Sequence, residues 1–174
     1  MSKALEGRPS PNTMWGLTMW LALGATVWLL VKPRLHEAQP MLAASLHLLM
    51  VLPFVALARL FLVNDTSVLH VAAFGGEDLP LKYRFAATWA AREGPLLMWL
   101  GWMSLVAWLW RRDLPGERGS TVDVHAWRLR FMHLMSLTLL LVAFSLDPFK
   151  ATPPFFAGAG SVSYTHLRAH ETKR

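Results

Sequence analysis

Cysteine is absent from this sequence of 174 residues. Its absence excludes a disulfide framework, a cysteine-based metal site and a CxxCH motif for covalent haem attachment within these residues. The sequence is therefore not itself that of a c-type cytochrome. Charged residues are also scarce, at 16%, whereas hydrophobic residues make up 54%. This balance is too apolar for an ordinary soluble domain.

Motifs for catalysis are missing as well. The sequence has no recognisable nucleophile–base pair, phosphate-binding loop or zinc-ligand spacing. We therefore expect no catalytic residue and no metal site. The net charge of +6 raises the possibility of nucleic-acid binding. However, the basic residues follow the ends of apolar runs instead of lining one face, so we expect no nucleic-acid partner.

Four apolar runs dominate what is present. A helix of about 20 residues crosses the hydrocarbon core of a bilayer. The runs predict an all-α, polytopic membrane protein with about four transmembrane helices, at residues 14–31, 41–63, 95–110 and 129–146. We expect a polar lead at 1–13 and a membrane domain at 14–160. A soluble helical bundle is the alternative, but it needs polar outer faces, and residues 14–31 supply little more than threonine.

The basic residues indicate the orientation of these helices. Lys and Arg favour the cytoplasmic side of the inner membrane. Five arginines lie in the third connector, at positions 111, 112, 118, 128 and 130, which places the second connector, residues 64–94, in the periplasm. Within this connector, Leu81, Phe85 and Trp89 recur at helical spacing. The pattern predicts a short helix lying at the membrane interface.

The stretch from Asn64 to Trp99 resembles the CcmF-type (CcmF/NrfE/CcsA) haem-lyase subunits of bacterial cytochrome c maturation. The residues that follow the order and spacing of the family pattern are Asp65, Ser67, Val68, Val71, Ala72, Leu79, Pro80, Tyr83, Ala87, Trp89, Glu93, Gly94, Leu97 and Trp99. Three departures stand out: Ala90 and Ala91 replace glycines, Arg92 replaces a histidine, and Pro95 replaces a serine. The Asp147-Pro148-Phe149 step after the fourth run is similar to an Asn-Pro-Phe step of the family.

This resemblance implies a multi-pass protein of the bacterial inner membrane that handles haem. The implied partners are a haem chaperone, other cytochrome c maturation subunits and apocytochrome c, to which haem is attached. The family is a haem lyase, but the resemblance leaves enzymatic activity of this chain undecided. A small polytopic scaffold or assembly factor without haem is one alternative. A transporter fragment is another, disfavoured because no ionisable pathway lies at mid-helix.

Four residues are candidates for haem binding. His47 and His133 fall at a similar depth on different helices, near the cytoplasmic face, where two imidazoles could ligate a b-type haem. Interfacial histidines bonded to backbone or water are the alternative. Arg92, beside Trp89, offers a guanidinium for a haem propionate. A surface pair of Arg92 with Glu93 at a helix boundary is the alternative.

The composition changes abruptly after Gly160. Residues 161–174 read SVSYTHLRAHETKR, polar and basic on a side of the membrane that disfavours positive charge. We expect this segment to be a non-native tail, which resembles translated adapter sequence; a native basic tail is the alternative. On the first interpretation, the chain is the N-terminal part of a longer protein whose haem-ligand histidines lie further on.

Overall fold

A computed structural model describes residues 11–112 and 123–153 of the chain, and for 11–13 it describes the backbone only. Residues 1–10 of the lead expected at 1–13, the centre of the third connector and the tail at 161–174 lie outside the described residues. In the part that is described, every regular element is a helix. The helices are α1 (Pro11–Val31), α2 (Leu35–Ala38), α3 (Pro40–Val63), α4 (Leu69–Phe74), α5 (Leu81–Ala87), α6 (Glu93–Leu109) and α7 (Val124–Leu146).

The four long helices form a ring in which each packs against two others. Helix α1 contacts α3 and α7, and α6 contacts the same two helices from the other side. Alanines at the contacts, including Ala22, Ala25 and Ala43, let the backbones approach closely. The outer faces remain apolar: Met41 is 84% exposed and Leu48 71%. A bundle in water would place polar residues there, whereas lipid accepts these side chains.

Three of the helices are long and apolar enough to cross a membrane, at Met14–Val31, Pro40–Val63 and Val124–Leu146. The predictions of an all-helical fold and of membrane helices are therefore confirmed. Helix α6 has 17 residues and is not among the three. A fourth crossing by α6 stays a prediction, as does the side of the membrane on which residues 64–94 lie.

Two helices end in a left-handed residue that suits a short polar side chain. Asn64 closes α3 with φ of 53°, and Asp147 closes α7 with φ of 47°. Asn and Asp adopt this conformation more readily than other side chains do. Asp147 thus occupies a position where the asparagine of the family pattern would also fit.

The segments that follow α3 and α7 pair with each other. The amide of Leu69 donates to the carbonyl of Lys150 at 2.9 Å, and the amide of Thr152 donates to the carbonyl of Ser67 at 2.9 Å. Val68 and Ala151 form an isolated antiparallel bridge between these bonds. This pairing fixes the start of the second connector against the end of the helix ring.

The second connector contains two short helices. Helix α4 buries His70 and Val71 against the ring, whereas α5 has no buried residue. The helix expected from the Leu81, Phe85 and Trp89 spacing is thus present but short, ending at Ala87. A turn through Thr88, which is fully buried, leads into α6 at Glu93.

Candidate functional site

Three buried histidines meet between α2, α3 and α7. The Nε2 atoms of His36 and His47 lie 2.9 Å apart. The ring centroid of His133 lies 5.5 Å from that of His47 and 6.4 Å from that of His36. One ring nitrogen from each residue falls within 4.8 Å of the others. We call this group the histidine cluster.

Hydrogen bonds around the histidine cluster fix the ring proton of His36 and limit the choices for His47. The Nδ1 atom of His36 lies 3.1 Å from the carbonyl oxygen of Pro33, which can only accept, so Nδ1 carries the proton. Ser104 can donate its hydroxyl proton to the carbonyl of His47 at 3.0 Å. Its oxygen can then accept from Nδ1 of His47 at 2.9 Å. If Nδ1 of His47 donates to Ser104, both Nε2 atoms carry lone pairs. In the other tautomer of His47, the serine hydroxyl donates to Nδ1, and Nε2 of His47 donates to Nε2 of His36.

The surroundings of the cluster are aromatic and include charges of both signs, from Arg111 and Glu37. Trp108 of α6 lies with its ring centroid 5.7 Å from His47 and 6.0 Å from His36. The guanidinium of Arg111 sits 4.0 Å from the centre of the Trp108 ring. Burial lowers the pKa of His36, and its hydrogen bond to Pro33 opposes this less strongly. His36 is accordingly neutral in its packed position.

The second candidate region is the connector between α3 and α6. Arg84 stabilises the conformation of this connector. The guanidinium of Arg84 donates to the backbone carbonyls of Leu79 at 2.8 Å, Glu77 at 2.5 Å and Leu62 at 3.4 Å. Asp65 accepts the amide of Ser67 at 3.1 Å in an Asx-type turn. These bonds give the connector a defined conformation with few buried contacts of its own.

Trp89 and Arg92 lie on the exposed side of this connector. The indole N–H of Trp89 donates to the sulfur of Met98 at 3.1 Å, and its ring packs edge-on to Phe54 and Phe85. Arg92 is exposed and forms no ion pair with another described residue. The pair with Glu93, held open from the sequence, does not form among the described residues.

Glu93 points inward to His70 instead. Its Oε2 atom lies 3.6 Å from Nδ1 of His70, beyond hydrogen-bonding distance. Burial lowers the pKa of His70, and the nearby Glu93 carboxylate opposes this less strongly. The ring of His70 meets Phe61 edge-on at 5.2 Å and Phe74 at 5.4 Å. A histidine that stood alone in the sequence thus belongs to the packing between α3, α4 and α6.

Comparison with curated proteins gives matches across most of the chain. The cytochrome c-type biogenesis protein CcmF of Escherichia coli is 34% identical over 150 residues, which are 78% of this chain and 22% of the relative. CcmF of Haemophilus influenzae is 37% identical over 109 residues, 59% of this chain and 16% of the relative. The probable cytochrome c-type biogenesis protein NrfE of E. coli is 34% identical over 116 residues, 63% of this chain and 20% of the relative.

Over these residues the chain is homologous to the CcmF and NrfE proteins. The resemblance inferred from the sequence is thereby confirmed. The chain spans about a fifth of the length of these curated relatives. No family model matches it, and neither does any solved structure.

The residues that follow the CcmF pattern divide into an inner and an outer group in the structure. The inner residues are buried or half-buried: Asp65, Ser67, Val68, Val71, Ala72, Ala87, Glu93, Gly94 and Leu97. The outer residues are exposed: Leu79, Pro80, Tyr83, Trp89 and Trp99. The inner group has evident packing roles, so the outer group is the better place to look for contacts with partners.

The histidine cluster does not fit a haem in this arrangement. A bis-histidine haem needs its porphyrin plane midway between the two ligating rings. His36 is 5.1 Å from His47 and 6.4 Å from His133, so it occupies that middle plane. A porphyrin, far wider than an imidazole, would have to displace His36 and the α2 turn. Haem ligation by His47 and His133 stays a prediction that the packing of these residues opposes.

His36 is the functional candidate that the sequence pattern missed. It lies in the first connector, outside every apolar run, whereas His47 and His133 are noticeable inside theirs. The available signal was the pair Pro33 and Pro40, which bracket it and limit where the connector can go. Because the two prolines keep the first connector close to the ends of α1 and α3, the side chain of His36 lies against the helix ring.

Proposed function

We propose that this chain is the N-terminal part of a membrane subunit of cytochrome c maturation in the bacterial inner membrane. The homology to CcmF and NrfE over 150 and 116 residues is the observation that carries the proposal. The three apolar helices that can cross a membrane agree with it. In this proposal the whole subunit receives haem from a haem chaperone and takes part in attaching it to apocytochrome c.

The contribution of this part of the subunit is docking and positioning. Thioether formation requires haem and two thiols to be held in the correct orientation. The connector offers a backbone held by the hydrogen bonds of Arg84, an apolar surface at Trp89, and the exposed cation of Arg92, which has no ion-pair partner among the described residues. A guanidinium at such a position suits the carboxylate of a haem propionate or an acidic partner.

A scaffold without haem is the second candidate function. The position of His36 beside both His47 and His133 favours it, because a porphyrin bound by that pair would have to displace His36. The same connector surface would serve to hold maturation subunits together. The two candidates differ in whether changes at Arg92 alter haem delivery or only assembly.

A chimera tests the proposed function. The homologous 150-residue segment of E. coli CcmF is replaced by that of this chain, and the chimera is expressed in a strain lacking CcmF. We expect haem-stained c-type cytochrome to return. A chimera that accumulates in the membrane without restoring it would contradict the proposal. Arg92→Ala in the chimera is expected to lower the yield several-fold, with Lys82→Ala, also exposed, as the control.

A pair of reporter fusions tests the orientation. Alkaline phosphatase is active only after export, so a fusion at Gly76 should be active and one at Gly116 inactive. The reason is the five arginines of the third connector, which favour the cytoplasm. The reverse pattern would place the second connector in the cytoplasm and remove it from periplasmic chemistry.

A further inference from the structure

We propose that His36, His47 and His133 bind a single transition-metal ion of the kind that imidazole favours, with Zn²⁺ as the type. The three side chains are buried, and one nitrogen of each lies within 4.8 Å of the others. Imidazole nitrogen is a common ligand of Zn²⁺ and of neighbouring first-row metals. The site is separate from haem attachment and does not rest on the proposed function.

The first argument is the contact between His36 and His47. Nδ1 of His36 carries a proton toward Pro33, so the lone pair of its Nε2 atom faces Nε2 of His47 at 2.9 Å. So short a distance requires a cation between or close beside the two atoms, either a proton on Nε2 of His47 or a metal ion. Ligands of a tetrahedral zinc, at about 2.0–2.1 Å each, are roughly 3.3 Å apart. A small opening of the pair therefore creates a ligand spacing.

The second argument is His133. Its side chain is 0% exposed, and neither ring nitrogen has a hydrogen-bond partner among the described residues. A buried polar group without a partner destabilises the fold, because it has lost its hydrogen bonds to water. The ring lies within reach of the same point as the other two histidines. Coordination to a shared ion gives one of its nitrogens a partner.

The third argument is the outer layer of the site. Histidines that bind metals usually donate their second N–H to a carbonyl or another oxygen, which fixes the tautomer and the ring direction. His36 does this to Pro33, and His47 does it to Ser104. These bonds orient the two rings so that their Nε2 atoms lie 2.9 Å apart. These hydrogen bonds preorganise the His36 and His47 rings for binding a metal ion.

Charge limits what else can be bound. No acidic residue belongs to the group within the described part of the chain; Arg111, over Trp108, and Glu37 both act on His36 from outside it. Three neutral imidazoles leave a fourth position of a tetrahedral ion open. A hydroxide or chloride in that position would offset the charge of the ion against Arg111. The site departs from the sequence-based expectation that the chain holds no metal.

Binding is tested with the full chain purified in detergent and stripped of metal. Co²⁺ serves as a coloured probe and Zn²⁺ as its competitor. We expect one Co²⁺ per chain with the strong visible bands of a tetrahedral site, displaced by Zn²⁺. An alternative is that the cluster holds only a shared proton. Absence of these bands would favour that alternative and overturn the proposal.

His133→Phe is the decisive variant because it removes a ligand and also removes two unpartnered nitrogens. Metal affinity should fall at least about 100-fold, beyond the usual effect of changing an outer-layer partner. Stability without metal should be equal to that of the unchanged protein or higher. Unchanged affinity in this variant would refute the site. If it does not fold, His36→Gln decides the matter by the same affinity criterion.

Two further variants separate the site from adventitious binding. Ser104→Ala removes the acceptor of the His47 ring proton, and we expect an affinity loss of about 10- to 100-fold. The matched control is the double variant His166→Gln and His170→Gln, which changes histidines outside the described residues. It should keep the tetrahedral bands. Their loss in this control alone would assign the metal to the tail and overturn the proposal.

Discussion

Replacing Gly94 with alanine is expected to destabilise the protein by about 3 kcal/mol, the upper part of the usual range for overpacking. A Cβ atom at this position would overlap the carbonyl oxygen of Thr88 and lie 2.8 Å from its carbonyl carbon. Both atoms belong to the backbone of the turn that joins α5 to α6, and Thr88 is fully buried. No rotation of a side chain can relieve the contact.

Gly101→Ala is the matched control because it lies on the same helix, where a Cβ meets Val51 only at 3.9 Å. Reversible unfolding in mixed micelles, followed by tryptophan fluorescence, measures both variants. We expect Gly101→Ala to stay close to the unchanged protein. If Gly94→Ala were equally stable, the close approach of α6 to the Thr88 turn would be wrong.

The Gly94 contact gives a physical reason for a residue that the sequence offered only as part of a family pattern. The pattern marks Glu93 and Gly94 together. In the structure Glu93 turns inward to His70, and Gly94 lets the backbone of Thr88 approach. Both residues therefore act at the junction where the second connector returns to the helix ring.

The long helices could be predicted from the sequence because each coincides with an apolar run, and lipid requires such a run to satisfy its own backbone hydrogen bonds. The ends of these helices were harder to predict from the sequence. Helix α7 begins at Val124, ahead of the expected residue 129, because Asp123 accepts the amide of Ala126 at 3.0 Å and caps it. Arg34 holds the same carboxylate at 2.7 Å and lowers the pKa of Asp123.

The short helix α4 could not be predicted from periodicity. Six residues are too few to show a helical pattern or to form an isolated helix. Its amide at Leu69 bonds to Lys150, a residue far away in the sequence. Its buried residues, His70 and Val71, pack on the ring. Tertiary contacts, and not the local helix propensity, determine that α4 forms here.

The histidine cluster shows the same limit. A similar depth for His47 and His133 followed from their positions inside two apolar runs. His36 joins them because the first connector folds so that α2 lies against α3. The sequence does not indicate this path. Hydrogen bonds to Pro33 and Ser104, which orient the rings, involve neighbours that no sequence spacing identifies.

Phe61→Ala should produce the other large loss of stability, about 3–5 kcal/mol. Phe61 is 0% exposed near the end of α3, and its ring meets His70 edge-on at 5.2 Å. Inside a membrane, packing and not removal from water holds helices together, so the cavity itself carries most of the cost. The loss should reach α4, because His70 would keep Phe74 as its aromatic neighbour but lose Phe61.

Phe131→Ala is the control for Phe61→Ala, since Phe131 is 59% exposed on the outer face of α7. We expect it to change stability by about 0.5 kcal/mol or less, as is usual for outward positions. Unfolding in mixed micelles compares the two, and hydrogen exchange at the amides of Leu69 and Gly75 reports on α4. Faster exchange in Phe61→Ala alone would show that α3 supports the connector. Equal losses in the two variants would mean that Phe61 does not occupy a packed interior.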